Sequence, residues 1–98
     1  MFFGNKSQVV AQPATMPGAR GASIQWLIAG DQGAENFYMR RIIVDKDGVI
    51  PVHTHPEEHE IYVLTGQGQA TGAGESVTVG PGDFLFIPGG EPHGFVNV

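Results

Sequence analysis

The chain has 98 residues and a formal net charge of −5, with five Lys and Arg against ten Asp and Glu, a balance that argues against a nucleic-acid surface. It contains no cysteine, which removes disulfides, thiolate metal sites and Cys nucleophiles from consideration. No apolar run approaches the ~20 residues of a membrane helix. Met1-Phe2-Phe3-Gly4-Asn5-Lys6 lacks the basic start and apolar stretch of a signal peptide, so a cytoplasmic location is expected.

Fifteen glycines and seven prolines separate short apolar stretches, the pattern of an all-β barrel or sandwich with very little helix. Residues 1–20 are predicted to form a loosely held arm, with Gln12-Pro13-Ala14-Thr15-Met16-Pro17-Gly18 turn-like, and residues 21–98 to form a single barrel domain. Strands are expected at Ser23–Ile28 and Phe37–Val44, followed by a turn over Asp45-Lys46-Asp47-Gly48. Ile50–His55 forms a third strand, irregular or at an edge because it contains Pro51. Ile61–Leu64 is β-branched and aromatic and forms the fourth. Residues 68–73 and 75–79 form a hairpin around Gly74, Phe84–Ile87 is the seventh strand, and His93–Val98 begins the eighth. That last strand needs a neighbour, which the N-terminal arm, a second subunit or further chain could supply; a homodimer is expected on this ground. Trp26, Phe84 and Phe86 are assigned to the core, and Glu57 and Glu58 to a solvated loop.

All four histidines fall in two short segments. His53, His55 and His59 lie in His-Thr-His-Pro-Glu-Glu-His-Glu, and His93 follows Pro88-Gly89-Gly90-Glu91-Pro92. Two histidines at i and i+2 on a strand share a face, about 6–7 Å apart, and neutral imidazole is the commonest ligand for divalent transition metals. A metal site is expected. With every histidine engaged, no Ser-His-Asp arrangement is available.

The spacing resembles the cupin superfamily. The second motif of that family, G-x5-P-x-G-x2-H-x3-N, is matched at Gly82, Pro88, Gly90, His93 and Asn97. The first, G-x5-H-x-H-x3,4-E-x6-G, is followed by Gly48, His53, His55 and Gly66, with Gly48 one residue too close to the first His. The resemblance implies a double-stranded β-helix, a small jelly-roll barrel, carrying one divalent ion: Mn, Fe, Ni, Cu or Zn. His59 and Glu60 compete for the place of the family's glutamate. Counting back from Gly66 and the parity with Ile61 and Val63 favour His59, hence a four-histidine site of His53, His55, His59 and His93. Four neutral imidazoles leave the full charge on the ion, which suits an anionic ligand. Arg40 and Phe95 are the candidate substrate-binding residues, Arg40 for a carboxylate and Phe95 as an apolar wall.

The resemblance implies a metal-dependent protein acting on a small organic molecule, with dioxygenase-type oxidoreduction the first expectation. A lyase or isomerase, in which the metal stabilises an enolate, and a non-catalytic small-molecule-binding module are the alternatives.

Overall fold

The computed structural model describes all 98 residues, Met1–Val98. Eight strands follow one another: β1 (Gln12–Pro13), β2 (Arg20–Ile28), β3 (Met39–His53), β4 (His59–Tyr62), β5 (Gly68–Gly72), β6 (Glu75–Val79), β7 (Phe84–Ile87) and β8 (His93–Val96). The only helical turns are 3-10, at Lys6–Gln8 and Gly30–Gln32, as the glycine and proline content requires. No helix is long and apolar enough to cross a membrane.

The strands form a six-stranded sheet in the order β1-β2-β3-β8-β5-β6 and a two-stranded sheet of β4 and β7. Every pairing is antiparallel. The non-sequential insertion of β8 between β3 and β5 gives the last strand both of its neighbours within the chain. The expectation that an arm or a second subunit must pair it is thereby corrected.

The turn expected over Asp45–Gly48 is instead a bulge inside one continuous strand of 15 residues. Across it the register with β2 jumps from Ala22↔Val44 to Arg20↔Val49, so β3 bends and reaches both β2 and β8. Asp47 sits at φ 64, a left-handed position that Asp tolerates. A Cβ at Gly48 would collide with the Gly21 carbonyl oxygen. Asn97, the last residue of the second motif, clamps this bulge: its Nδ2 donates to Val44 O at 2.9 Å, while Asp47 N donates to Asn97 O at 2.7 Å. Gly94 has a similar role in β8, where a Cβ would lie 2.8 Å from Ile50 O and 2.9 Å from Val52 N. Only glycine lets β8 lie this close to β3.

The arm is tied down at its start. Gln25 on β2, buried at 8 % exposure, donates through Nε2 to Lys6 O at 3.0 Å and Val9 O at 2.8 Å, and accepts from Arg41 Nη1 at 3.0 Å.

Strand parity decides the interior. On β4 and β7 the cross-strand pairs His59↔Ile87 and Ile61↔Leu85 face inward, and Glu60↔Phe86 and Tyr62↔Phe84 face outward. Phe84 and Phe86 are therefore exposed, at 80 % and 57 %, rather than core, and Trp26 is likewise 43 % exposed. Residue size suggested burial for these three; the period of two overrules it. Only seven of the 98 residues are buried, with Ile50, Ala70 and Ile87 the hydrophobic ones. So small a core leaves room for a metal ion to matter to stability.

Candidate metal centre

His53 ends β3, His55 lies two residues beyond it, His59 starts β4 and His93 starts β8. The register pairs His53 directly with His93. The four rings gather in one cluster. Centroid separations are 4.4 Å for His53–His93, 4.5 Å for His55–His59, 4.8 Å for His55–His93, 5.3 Å for His53–His55 and 5.4 Å for His59–His93. Ligand nitrogens of His53, His55 and His93 all lie within 4.8 Å of one another. His59 completes the cluster from the two-stranded sheet, with Nε2 2.9 Å from His55 Nε2.

The backbone sets the tautomers. His53 Nδ1 donates to Pro51 O at 2.8 Å, His55 Nδ1 to Glu57 O at 2.9 Å, and His93 Nδ1 to Glu91 O at 2.8 Å. Each bond spans two residues, so each ring is oriented by its own loop or strand, and each Nε2 keeps a free lone pair. Outer contacts of this kind fix ring orientation in metal sites. The carbonyls escaped the sequence reading because backbone acceptors carry no residue signature.

His59 differs. Its Nε2 accepts from Arg40 Nη2 at 3.1 Å, so it is a lone-pair atom facing the His55 Nε2 lone pair at 2.9 Å. Neither nitrogen can donate to the other with these tautomers. A cation between them removes the repulsion. Two nitrogens each about 2.1 Å from one ion and at roughly a right angle are about 3.0 Å apart, so this pair has a spacing that suits a transition-metal ion, beside the group of His53, His55 and His93. Glu60, the competing residue, points outward and is exposed.

Burial, followed by the Arg40 charge and the other imidazoles, pulls the His59 pKa from 6.5 to about 4. Burial also lowers that of His93, which is 1 % exposed. A neutral ring is the form that binds metal. The depressed His59 value gives a sign for stability. The unfolded chain takes up this proton near pH 6.5 and the folded chain only near 4. Stability contributed above pH 6.5 is therefore lost as pH falls through that window. The metal-free protein is expected to melt at a lower temperature at pH 5 than at pH 7.5. Thermal unfolding followed by circular dichroism checks this, and an equal or higher midpoint at pH 5 would contradict it.

Arg40 lies between Trp26 and His59, a placement that the sequence indicated only in part. Its guanidinium carbon sits 5.2 Å from the Trp26 ring centroid, opposite it in the β2–β3 register, and burial lowers its pKa. Adjacent Arg41 points to the other face, toward Gln25. Phe95 is half-buried on β8, its ring 6.2 Å from that of His93. Glu57 and Glu58 are exposed, as expected for a solvated loop. A separate groove of about 550 Å³, lined by Glu60, Ile61, Tyr62, Phe84, Leu85 and Phe86, contains none of the histidines. Converging donor atoms mark the chemistry better than volume does.

The cupin domain model matches residues 40–98, more than half of the chain. The chain is a cupin. Among solved structures, this cupin resembles the polyketide cyclase RemF from Streptomyces resistomycificus, with 39% identity over 99% of this chain and 70% of that one, at a TM-score of 0.93. A cupin 2 conserved barrel domain protein from Rhodopseudomonas palustris is 26% identical over 91% of this chain and 62% of its own, at 0.76. A predicted oxalate decarboxylase from Thermotoga maritima, 24% identical over 98% and 87% of the two chains at 0.84, shares the fold. No curated protein matches this cupin.

Proposed function

We propose that this cupin is a metal-dependent cyclase that closes a ring within a chain carrying 1,3-dicarbonyl groups, with His53, His55, His59 and His93 as the metal ligands. The observation that carries the reading is the 39% identity to a polyketide cyclase across 99% of this chain, joined to a histidine cluster that fits one ion. The reaction needs no oxidant. A carbon between two carbonyls loses a proton and forms a bond to a distant carbonyl carbon, whose oxygen takes up a proton; water then leaves.

His53, His55, His59 and His93 would hold a divalent ion, which would supply Lewis acidity toward a substrate carbonyl and so raise the acidity of the neighbouring C–H. Arg40 offers a planar pair of N–H donors to the oxyanion that develops. Phe95 and the inward-facing Ile61, Leu85 and Ile87 offer an apolar wall that excludes water from the folded substrate. Glu60 and Tyr62, the side chains that could have moved a proton, face outward. The carboxylate nearest the cluster, that of exposed Glu57, meets the outer Nδ1 of His55 at 3.5 Å, so a substrate whose C–H is already acidic suits the site, and a 1,3-dicarbonyl is such a substrate.

Dioxygenase chemistry, the expectation from the sequence, makes the opposite demand on oxygen. Metal-loaded protein incubated anaerobically with a synthetic linear 1,3,5,7-tetraketone is expected to yield a six-membered ring product lighter by one water. A product heavier by two oxygen atoms, formed only with dioxygen, would replace this reading with the oxygenase. No product under either condition would leave a binding module.

We also propose that the cupin works as a homodimer. Tyr62, Leu64, Phe84 and Phe86 are 57–80 % exposed and make an apolar outer face of the kind that marks an interface. Light scattering is expected to give twice the chain mass, falling to one chain mass in a Phe84→Glu, Phe86→Glu variant. A wild-type monomer would contradict it.

A further inference from the structure

His59 is the one ring in the cluster whose ligating nitrogen is already engaged. His53, His55 and His93 each spend Nδ1 on a backbone carbonyl and keep Nε2 free. His59 Nε2 instead accepts from Arg40 Nη2. An imidazole nitrogen has one lone pair, and a lone pair bonded to a metal cannot also accept from a guanidinium. The like charges of a guanidinium and a divalent ion also repel across so short a distance in a half-buried site.

We infer that Arg40 and the metal compete for His59 Nε2, so that metal loading displaces the guanidinium and frees it to bind a substrate oxyanion. Arg40 is then a specificity device as well as a donor. In the metal-free protein His59 holds one Nη2 N–H of Arg40 and Trp26 lies against its face, so the guanidinium is aimed at His59 rather than at a ligand. Once the ion takes His59, the same guanidinium is left without its partner beside the centre, and it pairs with the negative charge on the ligand. Binding is thus ordered, metal before oxyanion, without any large movement of the barrel.

The inference rests on the metal-centre reading above, and the test separates the two. Zinc is titrated by calorimetry into metal-free wild type, Arg40→Met, His59→Ala and the double variant. Trp26 emission is followed in parallel, because Trp26 is the only tryptophan and Arg40 stacks on it. Loss of a charged hydrogen-bond competitor should tighten zinc binding in Arg40→Met by about ten- to a hundredfold. The gain should vanish when His59 is absent. Zinc should shift Trp26 emission in wild type and not in Arg40→Met. Acetoacetate should bind zinc-loaded wild type about tenfold more tightly than zinc-loaded Arg40→Met. If Arg40→Met does not fold, Arg40→Leu carries the same comparison, since it too removes both the charge and the donors. Equal or weaker zinc binding by a folded Arg40 variant overturns the inference and leaves the metal centre standing. Failure of wild type to bind zinc overturns both.

Discussion

His93→Ala is expected to strip the metal from the protein. Its ring is 1 % exposed and pairs in register with His53, and it lies within 5.4 Å of all three other histidine rings. It is the shared neighbour of the proposed ligand set. Outer partners of metal ligands are worth ~10–100-fold in affinity, so losing this central ligand should cost more than ~100-fold. After dialysis, metal analysis by mass spectrometry should find about one ion per chain in wild type and almost none in His93→Ala. Glu60→Gln is the matched control: Glu60 faces away from the cluster, and its metal content should equal that of wild type. Metal retained by His93→Ala, or lost by Glu60→Gln, would contradict the ligand assignment.

Chelation is expected to lower the melting temperature sharply. Strands β4 and β7 form a sheet of their own, with no ladder to the other six strands. His59 belongs to the small sheet, and His53 and His93 to the large one. An ion held by all of them would staple the two sheets, in a chain with only seven buried residues. Metal at a hundred times its dissociation constant stabilises the folded state by about 2.7 kcal/mol. For a domain of this length that corresponds to roughly 10–20 °C in the midpoint. Calorimetry with and without a chelator measures the shift. Amide exchange adds a spatial test: chelation should speed exchange in β4 and β7 more than in β2 and β3. A midpoint unchanged by chelator would contradict the staple.

Much of this site could be read in the sequence because its parts are local. The His53-to-His55 spacing, the second motif and the parity argument for His59 each concern a few residues and a period of two. The structure places those four rings together. What escaped depends on pairing between distant segments. The bulge at Asp45–Gly48 looks like a turn until Gly21 packs against it and Asn97 clamps it. Strand β8 looks unpaired until the topology sets it between β3 and β5. Phe84 and Phe86 look like core because they are large, but Leu85 and Ile87 hold the inward parity. The Arg40–Trp26 stack requires the β2–β3 register, which no local pattern contains.

The most direct test of the four-histidine centre is diffraction from metal-loaded crystals at the metal absorption edge. One anomalous peak per chain is expected, within bonding distance of ring nitrogens from His53, His55, His59 and His93, with Arg40 no longer hydrogen-bonded to His59. A peak bonded to three histidines alone, or to Glu60, with His59 still accepting from Arg40, would contradict it.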